Sequence, residues 1–139
     1  MIGRFEEILE ELSKSLHLKL HVDKHGACAI QIPPLVIQLQ PNLTQESLFL
    51  FVKLTEVPPG KFRENVFREA LKANGRKDPR AGILGYMGPL NTLTLHQIYP
   101  FSVLSGGRLA NFLAGFVEAA VDWKGAIESG HSAPVGLKP

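Results

Sequence analysis

The stretch "SLFLFVKL", Ser47 to Leu54, decides how this chain is read. As a β-strand it sends Leu48, Leu50, Val52 and Leu54 to one face and Phe49, Phe51 and Lys53 to the other. Antiparallel sheets normally bury one face and wet the other, so a strand apolar on both sides needs two coverings. The uniformly aliphatic set suits a packed core. The aromatic set, followed by a lysine, suits the border of a groove. Its covering is a helix of this chain, a second copy of the chain, or a bound partner.

Working outward from that strand, "LVIQLQ" (Leu35 to Gln40) reads as the strand before it, closed by Pro41-Asn42. Cys28, Ile30 and Ile32 alternate in a further strand that ends at Pro33-Pro34. Leu18, Leu20 and Val22 alternate with Lys19, His21 and Asp23, which predicts another strand ahead of an Asp23 to Gly26 turn. Phe5, Ile8, Leu9, Leu12 and Leu16 recur at helical spacing, so an amphipathic helix is expected from about Gly3 to Leu16.

Downstream, Pro58-Pro59-Gly60 stops the sheet and opens a second helix with an apolar face of Phe62, Val66, Phe67, Ala70 and Leu71. Asn74-Gly75 is the expected left-handed stop of that helix. The strands "GILGYM" (Gly82 to Met87) and "NTLTLHQIY" (Asn91 to Tyr99) follow as a hairpin with a tight "GPL" turn. Ser105 is the expected N-cap of the last helix, whose stripe runs from Leu109 through Phe116 and Trp123 to Ile127 and ends at Gly130. Adjacent strands separated by helices predict an α+β fold, α-β-β-β-α-β-β-α, with a twisted, mainly antiparallel sheet packed by helices. At 139 residues, one domain over 1–130 and a flexible tail over 131–139 are expected, the tail dispensable for folding.

Composition narrows the function classes. Fifteen Lys+Arg against thirteen Asp+Glu give a formal charge of +2, too small to argue for nucleic acid. The basic run Gly75 to Arg80 reads as a solvated loop. One cysteine excludes an intramolecular disulfide framework and fits a reducing compartment. No secretory signal is visible at the start of the chain. Prolines and polar residues interrupt Ala81 to Gly107 too often for a spanning helix, so no membrane insertion is expected.

Catalytic chemistry finds no foothold. His17, His21 and His25 are spaced by four with Cys28 three further on, but Gly26 and the strand alternation prevent a shared helical face, so no metal site is assigned. Cys28 falls in phase with Ile30 and Ile32 and reads as a small hydrophobe. "SGGR" (Ser105 to Arg108) lacks the residues of a phosphate loop. The acidic residues are scattered over helix faces, with no convergent pair for acid–base work. No catalytic residue and no cofactor are expected. What is left over is apolar surface, which on a soluble protein points to partners and to a dimer.

The ordered set of elements resembles the class I type III secretion chaperones, the Tir-chaperone or CesT-like proteins, over about Phe5 to Ile127. The pieces that carry the resemblance are "FEEILEELSKSLHL", "DKHGACAI", "VPPGKFRENVFREALKANG", "AGILGYMGPLNTLTLHQIYPF" and "LANFLAGFVEAAVDWKGAI" with its late Trp123. The resemblance implies a non-enzymatic dimer in the bacterial cytoplasm, a homodimer or a heterodimer with a related chaperone. It would bind the N-terminal segment of a secreted effector, keep it extended, and deliver it to the secretion apparatus and its ATPase. It further implies a client surface at Leu20, Val22, Cys28, Ile30, Ile32, Phe49 and Phe51, and a dimer interface at Phe62, Val66, Phe67, Leu71 and Tyr86. One departure is the sequence pI of about 8.8, where such proteins are typically acidic. A small α+β adaptor, or a domain holding a lipid-like ligand, is the alternative from a different class.

Overall fold

The first strand of the aliphatic-and-aromatic type forms as expected, and it sits in the middle of the sheet. The computed structural model describes residues 4–24, 26–75 and 82–134. These form three helices, α1 (Arg4–Leu16), α2 (Lys61–Asn74) and α3 (Gly106–Glu128). Five strands accompany them: β1 (Cys28–Ile32), β2 (Leu35–Asn42), β3 (Ser47–Glu56), β4 (Ile83–Met87) and β5 (Thr92–Pro100). The sheet order is β1-β2-β3-β5-β4, and β1–β2 and β4–β5 are antiparallel hairpins. The α+β reading holds. The basic run from Arg76 to Arg80, His25, and the tail beyond Pro134 lie outside the described residues.

The chain divides into two compact units: residues up to Phe51 with Gln97–Ala114, and Val52–His96 with the residues from Gly115 onward. β3, β5 and α3 contribute residues to both. In the first unit, Ile8 and Leu12 of α1, Cys28 and Ile30 of β1, Ile37 and Leu39 of β2, and Leu48 and Leu50 of β3 are all at most 1% exposed. Each such side chain contributes about 1.5–3 kcal/mol of transfer free energy. The β1–β2 register, Cys28↔Leu39 and Ile30↔Ile37, brings these apolar residues to one face and leaves Ala29, Gln31, Val36 and Gln38 on the other. In the second unit the buried residues include Val52 and Leu54, Val66 and Ala70 of α2, Leu93 and Leu95 of β5, and Phe116, Ala120 and Trp123 of α3.

Two expectations are corrected. Leu18 to Val22 is not a strand. Its one bridge among the described residues is Val22↔Cys28. The reason is the helix end before it: His17 turns left-handed at φ 56°, and the Leu18 N–H donates to the Ser13 carbonyl at 3.2 Å. The Ser13 hydroxyl donates in turn to the Leu18 carbonyl. The helix end thus fixes where Leu18 lies, and the segment meets β1 only at its other end. The second correction is Gly75, which stays in the right-handed region at φ −80°, so the stop of α2 is not a left-handed glycine.

α2 closes through the Gly75 N–H, which donates to the Leu71 and Lys72 carbonyls at 3.0 and 3.2 Å, and its last residue reaches the sheet. Asn74 donates its amide to the Leu84 carbonyl and accepts the Leu84 N–H, both at 2.8 Å, and so binds the end of α2 to the edge strand β4. Asn91 does similar work at the hairpin turn. It adopts φ 50°, donates its amide to the Val57 carbonyl at 2.7 Å, and accepts the Tyr86 hydroxyl. The expected "GPL" turn is a short 3-10 segment, Gly88–Leu90, closed by this asparagine. Asparagine tolerates the left-handed region better than other side chains.

α3 starts and ends as read. The Arg108 N–H donates to the Ser105 hydroxyl at 3.1 Å, a cap on the first turn. At its far end Gly130 (φ 86°) donates to Ile127 and His131 to Ala126, a Schellman closure. His131 therefore belongs to the helix end by its backbone, and the dispensable tail is expected to begin at Ser132.

Replacing Asn74 with Ala removes both bonds to Leu84 and leaves part-buried edge groups unmatched. The expected cost is about 1–3 kcal/mol. Urea melts of the variant against the parent check it, and an unchanged midpoint would show that water replaces the amide without loss.

Candidate functional site

The outer alternation of β3 carries the first candidate surface. Leu48, Leu50 and Val52 are fully buried and Leu54 is 4% exposed, whereas Phe49 and Phe51 are half-buried. Their rings lie parallel within 18° at a centroid separation of 6.0 Å, an offset stack that presents one continuous aromatic surface. Beside Phe49 an open groove of about 530 Å³ runs along Gln40, Pro41, Asn42, Leu43, Gln45, Ser47 and Ile98. Leu43 is 75% and Ile98 53% exposed, unusually open for aliphatic side chains. No lining residue is ionisable. Such a surface can hold apolar side chains, and its glutamines and asparagine offer donors and acceptors for an extended backbone.

The residues expected to bind a client divide into two groups. Phe49, Phe51, Leu20 and Ile32 are half-buried and Val22 is exposed. Cys28 and Ile30 are core residues, 0% and 1% exposed, and have no surface to offer. Burial is also what dominates the Cys28 thiol: desolvation pushes its pKa up, the His21 backbone hydrogen bond pulls it down, and the Asp23 charge adds to the rise. A thiol held protonated in this way is a packing group. Leu43, Ile98 and Pro41 were missed. Ile98 was legible as the apolar member of the polar alternation in "HQIYP"; Leu43 stands in a loop and carried no periodic signal.

The second candidate surface lies on α2 and the β4–β5 hairpin. Phe67 meets Tyr86 edge-on, 4.8 Å between centroids and 65° between planes. Leu71, one turn beyond Phe67, is 72% exposed, and Ile83, Tyr86 and Leu90 are exposed as well. Phe62 is half-buried. Of the five residues expected at a dimer interface, Val66 alone is fully buried in its own chain. A patch of this kind has the composition of an interface core, aromatic and short of charge.

Comparison with known proteins follows the same lines. The sequence profile of the Tir chaperone protein (CesT) family matches residues 7–124, and the chain belongs to that family. Among solved structures, the HopA1–SchA chaperone–effector complex contains a chain similar at TM-score 0.73 and 24% identity, over 88% of this chain and 94% of that one. A chain of the ExsC–ExsE complex is similar at TM-score 0.67 and 16% identity, over 94% and 93%. A chain of the ExoT–SpcS complex of Pseudomonas aeruginosa is similar at TM-score 0.65 and 21% identity, over 86% and 97%. At these identities the structures speak for the fold. No curated protein matches. Among the described residues no helix is long and apolar enough to cross a membrane.

The two faces of β3 are expected to answer substitution differently. Leu50→Ser opens a cavity and buries a hydroxyl, a loss of about 3–5 kcal/mol. Phe51→Ser, on the half-buried side, is expected to cost about 1 kcal/mol. Thermal melts of the pair decide: equal losses would place both faces in the core and remove this surface from consideration.

Proposed function

We propose that this chain is a type III secretion chaperone: a non-enzymatic dimer of the bacterial cytoplasm that binds the N-terminal segment of a secreted effector. It keeps that segment extended and delivers it to the secretion apparatus and its ATPase. The single observation that carries the reading is the aromatic outer side of β3, Phe49 and Phe51, half-buried beside an uncharged open groove while Leu48 and Leu50 are fully buried. Membership of the CesT family and the likeness to a chain of a chaperone–effector complex support it. An extended client gains affinity from main-chain pairing and specificity from pockets that take alternate side chains.

Dimerisation falls to the α2 and β4 surface, with Phe62, Phe67, Leu71 and Tyr86 meeting a second chain and Val66 supporting them from the core. The partner is a second copy of this chain, or a related chaperone. Either closes a patch too apolar to leave in water.

Tagged protein purified from a secreting bacterium, followed by identification of what it carries, tests the function. Capture of one secreted protein through its N-terminal segment is expected. A native mass spectrum showing a monomer with a bound small molecule would instead favour the ligand-binding alternative. For the interface, Phe67→Glu is expected to yield monomer or aggregate in light scattering. A well-folded dimer with that substitution would overturn the assignment of α2.

A further inference from the structure

Leu18 to Val22 has the alternation of a strand, and among the described residues its one bridge to β1 is at its last residue, Val22↔Cys28. β1 is an edge strand of the sheet. The two are tied at their near ends: Asp23 donates its N–H to the Ala27 carbonyl at 2.8 Å, and Ala27 donates back to the Asp23 carboxylate at 3.0 Å. Continuing the register of the existing bridge sets Leu20 opposite Ile30 and Leu18 opposite Ile32. It sets His21 opposite Ala29 and Lys19 opposite Gln31. Every apolar residue of the segment then faces an apolar residue of β1, and every polar one lies on the solvent side. A one-residue slip would reverse all of them, so this register is specified. At present Leu18 is 44% and Val22 42% exposed, and Ile32 is half-buried. The far end of the segment is anchored at the end of α1, where Ser13 engages both backbone groups of Leu18 and His17 sits left-handed, so Leu18 is fixed by the helix end and not by β1.

We propose that Leu18 to Val22 is a strap that zips along the outer edge of β1 as a sixth strand, and that releasing it opens this edge to an extended polypeptide. The gating half of the proposal rests on the chaperone reading; the zipping half stands without it. The strap also gives the edge a guard against unwanted pairing, since an exposed ladder of N–H and C=O groups recruits other chains.

The test uses paired cysteines in the full chain with Cys28→Ala. Lys19→Cys with Gln31→Cys matches the zipped register; Lys19→Cys with Ala29→Cys lies two residues out. All three outer positions are exposed. Directly opposite strand residues reach disulfide distance and diagonal ones do not. A loose loop behaves in the opposite way, because the shorter span between residues 19 and 29 closes at least as readily. We expect the in-register pair to oxidise at least ten-fold faster, and faster again with Ser13→Ala, with both parents melting alike. The client segment identified by co-purification is expected to bind the cross-linked protein at least ten-fold more weakly than the same protein after reduction. Oxidation of the out-of-register pair at an equal or greater rate overturns the strap, and undiminished client binding by the cross-linked protein overturns the gate. Co-purification with the unmodified chain reports on the chaperone reading separately.

Discussion

A β-strand cannot place two successive side chains on the same side, and β3 spends that rule on apolar residues in both directions. Leu48, Leu50, Val52 and Leu54 occupy the inner positions and are at most 4% exposed. The same geometry obliges Phe49 and Phe51 to face outward, where they are half-buried. A slip of one residue would exchange the two sets and put branched aliphatics in the groove and aromatic rings in the core. The neighbouring hairpin fixes the same choice, since the pairing of Cys28 with Leu39 and Ile30 with Ile37 keeps the apolar residues of β1 and β2 on one side. Surplus apolar surface is therefore a consequence of a well-specified sheet.

Sheet edges impose the second constraint, and each end meets it with a local device. At β4 the Asn74 side chain takes up both backbone groups of Leu84, acting as a residue's worth of strand. At β1 the chain supplies its own partial cover through Val22. The first device is a pair of hydrogen bonds from a helix end and is fixed by the position of α2. The second is a tethered segment anchored at its other end by Ser13. One edge has a residue of its outer ladder occupied by a helix end, and the other is bridged at a single residue by the chain's own preceding segment.

The parts of the fold that were legible in the sequence rest on periodicity. α1, α2 and α3 announce themselves by apolar spacing, and β3 by its alternation, because the core-facing residues alone set those patterns. Alternation failed at Leu18 to Val22, where it reports compatibility with a strand but not whether the backbone groups are available. The helix end fixes the start of the segment at Leu18, and only Val22 reaches β1. Asn74-Gly75 misled for a related reason: the dipeptide suggests a left-handed glycine, yet the asparagine amide found partners in β4 and the glycine stayed right-handed. Long-range side-chain bonds of this kind, like that of Asn91 to Val57, leave no trace in a one-dimensional pattern. For the surfaces, phase distinguished Phe49 and Phe51 from their neighbours. It did not separate Cys28 and Ile30 from Ile32, because all three share a phase and only depth differs.

The groove beside Phe49 is lined by glutamine, asparagine, serine, proline and apolar side chains, with no ionisable group, although the chain as a whole carries a formal charge of +2. Exposed charges separated from a site by more than about 8–10 Å are screened at physiological ionic strength. A basic balance therefore acts on encounter and on the choice among partners before contact, which is where surface charge has its main effect. Grip, once an extended segment lies against the sheet, comes from burying apolar side chains and matching backbone groups. A basic balance and an uncharged groove are thus compatible in one chain: a pI of about 8.8 bears on how a partner is met, and the apolar and amide groups of the groove on what it can hold.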